Sequence, residues 1–403
     1  MSAAPISLHR CLLLWSLLMG LLVPTAAAQI LKLPVPDTSR GTFFGVAVAI
    51  DGTRALVGAS SEDACGAGSG AAYLYEYKED TQSWALEARL EASDCAPGMY
   101  FGRALDLSGD VALVASTREF FSTARTNAAY VFERNPATGT WEEVAKLQAD
   151  PARQEGTFAT SIALDGGRAL VTTSGDATDG QFHGAAYVFE RDSETGRWRQ
   201  SARLTSGRDL KYGVFGSAGV LEGDRVAVAA STYFAEQPGS VYVFERNGEG
   251  TWDEAAHLRG IEDFFIDVAL SGDRVMIGQS RAGRRKSGEA VVYERTPSGR
   301  WERDATLEPP TPYAFGAFGS LVALDGPVAL VAGYDEQLRL DFNIDRVVYA
   351  YALDPETGTW RYRRIFDIGQ VAFGTAIDHD GTFGIIGQAS EQEVGAAYIV
   401  RLP

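Results

Sequence analysis

Few residues in this chain are spaced for catalysis. Of its four histidines, His9 lies in the N-terminal stretch, His257 in a strand-like run, His379 beside a hairpin turn and His183 in a loop, GDATDGQFHG. None stands at metal-ligand spacing, and no Gly-x-Ser-x-Gly, His-Glu-x-x-His or glycine-rich phosphate loop occurs. The 53 Asp and Glu residues leave room for a carboxylate pair of the glycosidase kind, against which stands a plain solvated acidic surface. Asp341, Asn343 and Asp345 read Asp-x-Asn-x-Asp, the opening of a calcium loop. Its continuation needs glycine at position 346 and glutamate at 352, where the chain has Arg346 and Ala352. An acidic loop is the better reading, an irregular Ca²⁺ site the weaker one. Arg281, Arg284, Arg285 and Lys286 form the one basic cluster, read as a solvated loop tip or as an anion contact, for instance to an acidic glycan.

The surrounding composition narrows the field. With 45% hydrophobic and 22% charged residues the 403-residue chain is globular. Its net charge of −17 excludes nucleic acid or an anionic membrane as the main partner, since both demand a positive footprint. The first 28 residues carry one Arg, an apolar CLLLWSLLMGLLV core and an Ala-x-Ala site at Ala26 to Ala28, the layout of a cleavable signal peptide. The expected mature chain starts at Gln29 and has no membrane span, because the apolar run is shorter than the ~20 residues a spanning helix needs. Export places it in the secreted or periplasmic space, and a monomer is expected. Only Cys65 and Cys95 then remain, an even pair in an oxidising compartment.

The positions that carry these residues repeat. Phe44, Phe101, Phe158, Phe215, Phe265, Phe318 and Phe373 each open a unit, at intervals of 57, 57, 57, 50, 53 and 55 residues. Each unit continues with an alternating run, a two-residue turn, a second run, a variable loop, a third run such as GAAYVFER, a polar turn and a Trp-led fourth run. Trp141, Glu143, Ala145 and Leu147 share one face of that fourth run, the period-two pattern of a half-buried strand. Four strands in some fifty residues, seven times over, predict an all-β fold: a seven-bladed β-propeller of four-stranded antiparallel blades over residues 29–403. Only six Trp-led strands are present. The seventh is expected at 29–35, because Leu33 precedes Phe44 by eleven residues just as Leu90 precedes Phe101. Leu31 and Leu33 should therefore pair with the final AAYIVRL run and close the ring.

The Phe-Gly starts, Gly58-Ala59-Ser60 after the second strand and the Gly-Ala-Ala-Tyr-Val-Phe third strand resemble FG-GAP repeats, the propeller units of integrin α-subunit heads and of many secreted bacterial proteins. Phe158-Ala159 and Phe265-Ile266 depart by losing the glycine, and no copy has Gly-Ala-Pro. The resemblance implies Ca²⁺ in loops between first and second strands, but here those loops are tight turns with one acid each, so no cofactor is expected. It also implies a non-enzymatic binding or adhesion propeller for an extracellular protein or glycan. The alternative is a secreted carbohydrate-active enzyme, a polysaccharide lyase or hydrolase, since fold alone does not decide function.

In a four-stranded blade the loop between strands two and three shares a face with the connection to the next blade. Cys65 and Cys95 occupy one of each, so a Cys65–Cys95 disulfide is predicted there. The variable stretches emerge on the same face. They carry Phe120, Phe121, Phe182, His183, Tyr233, Phe234, Tyr334 and Phe342, which with Arg284 and Arg285 form the expected binding surface.

Overall fold

The computed structural model describes residues 30–36, 41–117, 127–149, 158–174, 177–178, 181–182, 184–207, 213–232, 238–261, 263, 266–334, 346–369, 373–390 and 394–402. The proposed signal peptide lies outside them. Among the described residues the chain forms seven four-stranded antiparallel sheets plus a two-stranded ribbon, Ala177–Thr178 with Gln181–Phe182. In blades 1 to 6 the strands lie in chain order from axis to rim. Blade 1, for example, runs Phe44–Asp51, Arg54–Ala59, Ala71–Lys78 and Ser83–Leu90. The inner strands of neighbouring blades pack together all the way round, that of blade 7 (Phe373–His379) against that of blade 1.

The apolar core is divided among the joints between blades. Seven buried clusters each draw on two adjacent blades; one joins Leu56 and Leu74 of blade 1 to Leu105, Val114 and Tyr130 of blade 2. A third strand covered on both faces must be apolar at every position, and AAYVF at 185–189 is 3% exposed or less throughout. Within a blade the opening Phe meets the Tyr of the third strand, at 5.8 Å for Phe44–Tyr73, 5.4 Å for Phe215–Tyr242 and 5.2 Å for Phe318–Tyr349. These tilted contacts add to the area each ring buries.

The Phe-Gly signature is a joint between blades. The backbone of Phe101 bridges in parallel to Gly70 of the preceding blade, Phe318 to Gly288, and Phe44 to Gly395. The next residue is where the inner strand bulges toward its neighbour. Gly216 has φ +86°, and a Cβ there would lie 2.7 Å from the Thr173 carbonyl oxygen and 2.8 Å from that of Ala185. Only glycine meets both conditions without strain. Blade 3 carries Ala159 there at φ +64°. Blade 5 has no bulge: Ile266 stands opposite Gln279 in unbroken register, and Phe265 is outside the described residues.

Ring closure follows the expected register. Ile30–Lys32 forms the outer strand of blade 7, pairing Ile30 with Val400 and Leu31 with Ile399, and the Leu33 N–H donates to the Ala397 carbonyl at 2.9 Å. Leu33 is 1% exposed, and the Tyr75 hydroxyl of blade 1 donates to the Pro34 carbonyl at 2.6 Å. In blades 2 to 5, arginines at the turn end tie each blade to the one before, as in Arg191 to Glu133 (2.6 Å) and Arg295 to Glu245 (2.6 Å). At the closure an apolar contact replaces them: Phe383 of blade 7 lies 5.8 Å from Trp84 and 5.4 Å from Tyr77 of blade 1. The outer strands of blades 1 to 6 hold extra residues, among them Glu87, Val144 and Ser201, and such bulges twist an open edge away from pairing with another chain.

Candidate binding face

The two ends of the ring differ in what their polar groups do. At the turn end, side chains hold the inner strands together. The Gly109 N–H donates to Asp51 Oδ2 at 2.6 Å, Gly166 to Ser108 Oγ at 3.0 Å, Gly223 to Asp165 Oδ2 at 2.5 Å and Gly326 to Ser271 Oγ at 2.9 Å. Each acceptor belongs to the blade before the donor. Farther along the axis, Asp106, Asp267 and Asp378 accept the N–H groups of Leu164 (2.6 Å), Val322 (2.9 Å) and Ile50 (2.8 Å) in the following blades. An innermost strand has an unpaired edge, and these carboxylates satisfy it. Burial pushes Asp106 up to about 7 and Asp267 up to about 6, and it raises Asp378 well above the usual carboxylate range. Among the described residues no group of three His, Cys, Asp or Glu side chains is placed to ligate a metal.

Both described histidines are packing residues. His379 is 6% exposed at an inner-strand position that Leu107 and Leu164 fill in other blades, and burial lowers its pKa to about 4. Its Nδ1 accepts the Gly381 N–H at 3.3 Å, so the ring is neutral at physiological pH. His257 stacks on Tyr242 at 4.2 Å.

The loop end carries the predicted disulfide, Cys65–Cys95, with Cα atoms 6.2 Å apart. Beneath it Glu62, 6% exposed, accepts the Tyr73 hydroxyl at 2.5 Å and pairs with Arg89, fixing the first variable loop to the blade. Burial, with the Glu62 contact second, pushes Tyr73 up to about 12.

Between blades 5 and 6 this end opens into a cleft of about 460 Å³. Blade 5 contributes Ser280, Arg281 and Lys286; the connection to blade 6 contributes Phe315; blade 6 contributes Ser320 and Arg346. Arg346 stands where Gly70, Gly184, Gly239, Gly288 and Gly395 open the third strands of five other blades. Its guanidinium lies 5.6 Å from the Tyr334 ring and donates to Ser320 Oγ (3.3 Å) and the Gly374 carbonyl (3.4 Å), both neutral acceptors. Lys286 ends the short 3₁₀ turn Arg284–Lys286 and is exposed, as are Arg284 and Arg285. None of these three pairs with a described carboxylate.

Phe315 is the anomaly. It is 74% exposed and holds φ +63°. The residue three before the opening Phe is Gly41 in blade 1 (φ +79°) and Gly98 in blade 2 (φ +70°). Blade 6 thus puts an aromatic residue in a glycine conformation, at a cost of about 1–2 kcal/mol for a side chain bearing Cβ.

Of the residues expected to bind, Arg284, Arg285 and Tyr334 lie in or beside this region, Tyr334 half-buried beneath Arg346. Phe120, Phe121, His183, Tyr233, Phe234 and Phe342, with Asp341, Asn343 and Asp345, fall outside the described residues, as does the Phe182 side chain. The reading of the sequence missed Phe315, Ser320 and Arg346. Aligning the repeats on their opening Phe sets Phe315 against Gly41 and Gly98 of blades 1 and 2, and aligning their third strands sets Arg346 against a glycine of most other blades.

A family model for the FG-GAP repeat matches residues 28–75, 84–132 and 141–189. No curated protein matches the chain. Each matched stretch begins with the outer strand of one blade and runs through the first three strands of the next, so the repeat unit itself crosses a joint. The same layout recurs through the remaining blades, and the chain is an FG-GAP repeat protein with an integrin α-like seven-bladed propeller.

Proposed function

We propose that this propeller is a non-enzymatic binding module of the adhesion type, exported by its first 28 residues and acting outside the cytoplasm. Its partner is an extracellular protein or glycan taken up on the loop end. The observation that carries this reading is the asymmetry between the ends. Several described carboxylates of the turn end join neighbouring blades, whereas the loop end, where the variable segments are expected to emerge, presents Lys286 and Arg346 without a described carboxylate partner and an exposed ring. Rigid scaffolds of this kind place recognition in loops. Phe120, Phe121, Phe182, His183, Tyr233, Phe234 and Phe342 remain part of the proposed surface together with Arg284 and Arg285. The test is an array of matrix proteins and glycans probed with residues 29–403. Binding that is lost in Phe121→Ala, Phe234→Ala or Arg285→Ala at an unchanged melting temperature supports the reading. Lost stability with unchanged binding assigns these side chains to packing, and release of shortened glycan products makes the protein a carbohydrate-active enzyme instead.

A further inference from the structure

The cleft between blades 5 and 6 has a chemistry more specific than a general binding face, and the inference drawn from it rests on the binding-module reading. We infer that this cleft is a subsite for an anionic polysaccharide, seating a carboxylate- or sulfate-bearing sugar against Phe315 with Lys286 and Arg346 holding its charge.

Three independent features converge. The first is Phe315 itself. Blades 1 and 2 build the same turn with Gly41 and Gly98, so nothing in the propeller joint requires a side chain here. The aromatic ring strains the backbone and stays 74% exposed, so folding gains little from it. A ring kept outward at a strained position is explained by what it touches from outside, and a flat face suits the C–H face of a sugar. The second is charge. In a chain of net charge −17, Lys286 and Arg346 meet no described carboxylate, and among the described residues the Arg346 guanidinium is oriented by the Tyr334 ring and by long bonds to neutral oxygens. Such cations retain their full capacity for a charge-assisted bond to an arriving anion. The third is the cleft itself. Its volume falls within the ~300–1,000 Å³ usual for ligand sites, and the hydroxyls of Ser280 and Ser320 line it beside the ring. Hydroxyls, separated cations and one exposed ring match a hydroxylated anionic chain. Clustered cations also read acidic peptides, so it is the exposed ring beside two hydroxyls that favours a sugar.

The experiment is a calorimetric titration of the full propeller with a size-defined oligohexuronate, a sulfated dextran oligomer, a neutral dextran oligomer and oligoglutamate, at low and high salt. One or both anionic sugars bind, more weakly as salt rises, and neutral dextran does not. Phe315→Gly weakens binding about tenfold while melting at the parental temperature or above it, because the turn regains its glycine. Phe315→Tyr restores affinity, and Lys286→Gln weakens it about threefold or more. Equal binding of oligoglutamate makes the ligand an acidic peptide and overturns the inference. Sugar binding unchanged in Phe315→Gly and Lys286→Gln puts the seat elsewhere on the loop end, overturning this site while the binding-module reading stands. No anionic sugar bound, with a protein hit on the array, overturns it in the same way.

Discussion

The joint explanation of the Phe-Gly signature predicts that Gly216→Ala is far more damaging than alanine at a comparable glycine of the same blade. Gly216 has φ +86°, and its Cβ would stand 2.7 and 2.8 Å from two carbonyl oxygens of blade 3. Both oxygens belong to backbone in hydrogen-bonded strands, so no rotamer change relieves the contact. Gly223 lies in the hairpin turn of the same inner strand at φ +55°, with nothing within 4 Å of an added Cβ. Alanine at Gly223 therefore incurs only the left-handed backbone cost, about 1–2 kcal/mol. Alanine at Gly216 incurs that cost plus overpacking of about 1–3 kcal/mol, a total of about 2–5 kcal/mol. Urea unfolding followed by tryptophan fluorescence and far-UV circular dichroism in parallel measures both variants and checks that the ring unfolds as one unit. If Gly216→Ala is no more destabilising than Gly223→Ala, the glycine serves backbone conformation alone and the close approach of blades is not what it secures.

Further expectations concern the ring as a whole. Closing a loop with a sequence separation of 30 residues gives the Cys65–Cys95 bond about 3–4 kcal/mol in the chain-entropy model; thiol titration of the denatured, unreduced chain should find no free thiol, and Cys65→Ser/Cys95→Ser should unfold at lower urea. Deleting residues 29–35 uncovers Ile399 and removes Leu33 from its cluster, so the single melting transition should shift down as a whole; an unchanged melt refutes closure by this strand. Asp106 titrates near 7 in the fold against 3.8 as its ordinary value, chiefly through burial. The folded state thus holds this proton more tightly, so the stability linked to it is complete below about pH 4 and is lost as pH rises through about 7. Asp106→Asn should gain on the parent by on the order of 4 kcal/mol between those limits, read as the pH dependence of the difference in urea midpoints; a constant difference would falsify the assignment.

Much of the architecture is local and therefore legible in the chain. Alternation with period two depends on residues a few positions apart, and the repeat spacing is a count, so seven blades and their strand order follow from the sequence. The closing strand was legible for the same reason: the Leu33-to-Phe44 interval is a register, and Leu31 does pair with Ile399. Cys65 and Cys95 could be matched because blade topology alone places their loops on one face. What the chain did not disclose are contacts whose partners lie in different blades. The glycine after the opening Phe is required by carbonyl groups of the preceding blade, and Asp106 and Asp378 cap N–H groups of the following one. His379 resembles any turn-flanking histidine until the joint to blade 6 buries it. The basic cluster was visible as 281–286, but not that folding sets Lys286 across a cleft from Arg346, sixty residues on, with Phe315 between the two in the chain. Sequence patterning determined which faces are buried, because burial repeats with the strand. Only the closed ring decided which side chains meet across a joint, because that depends on backbones approaching from far apart in the chain.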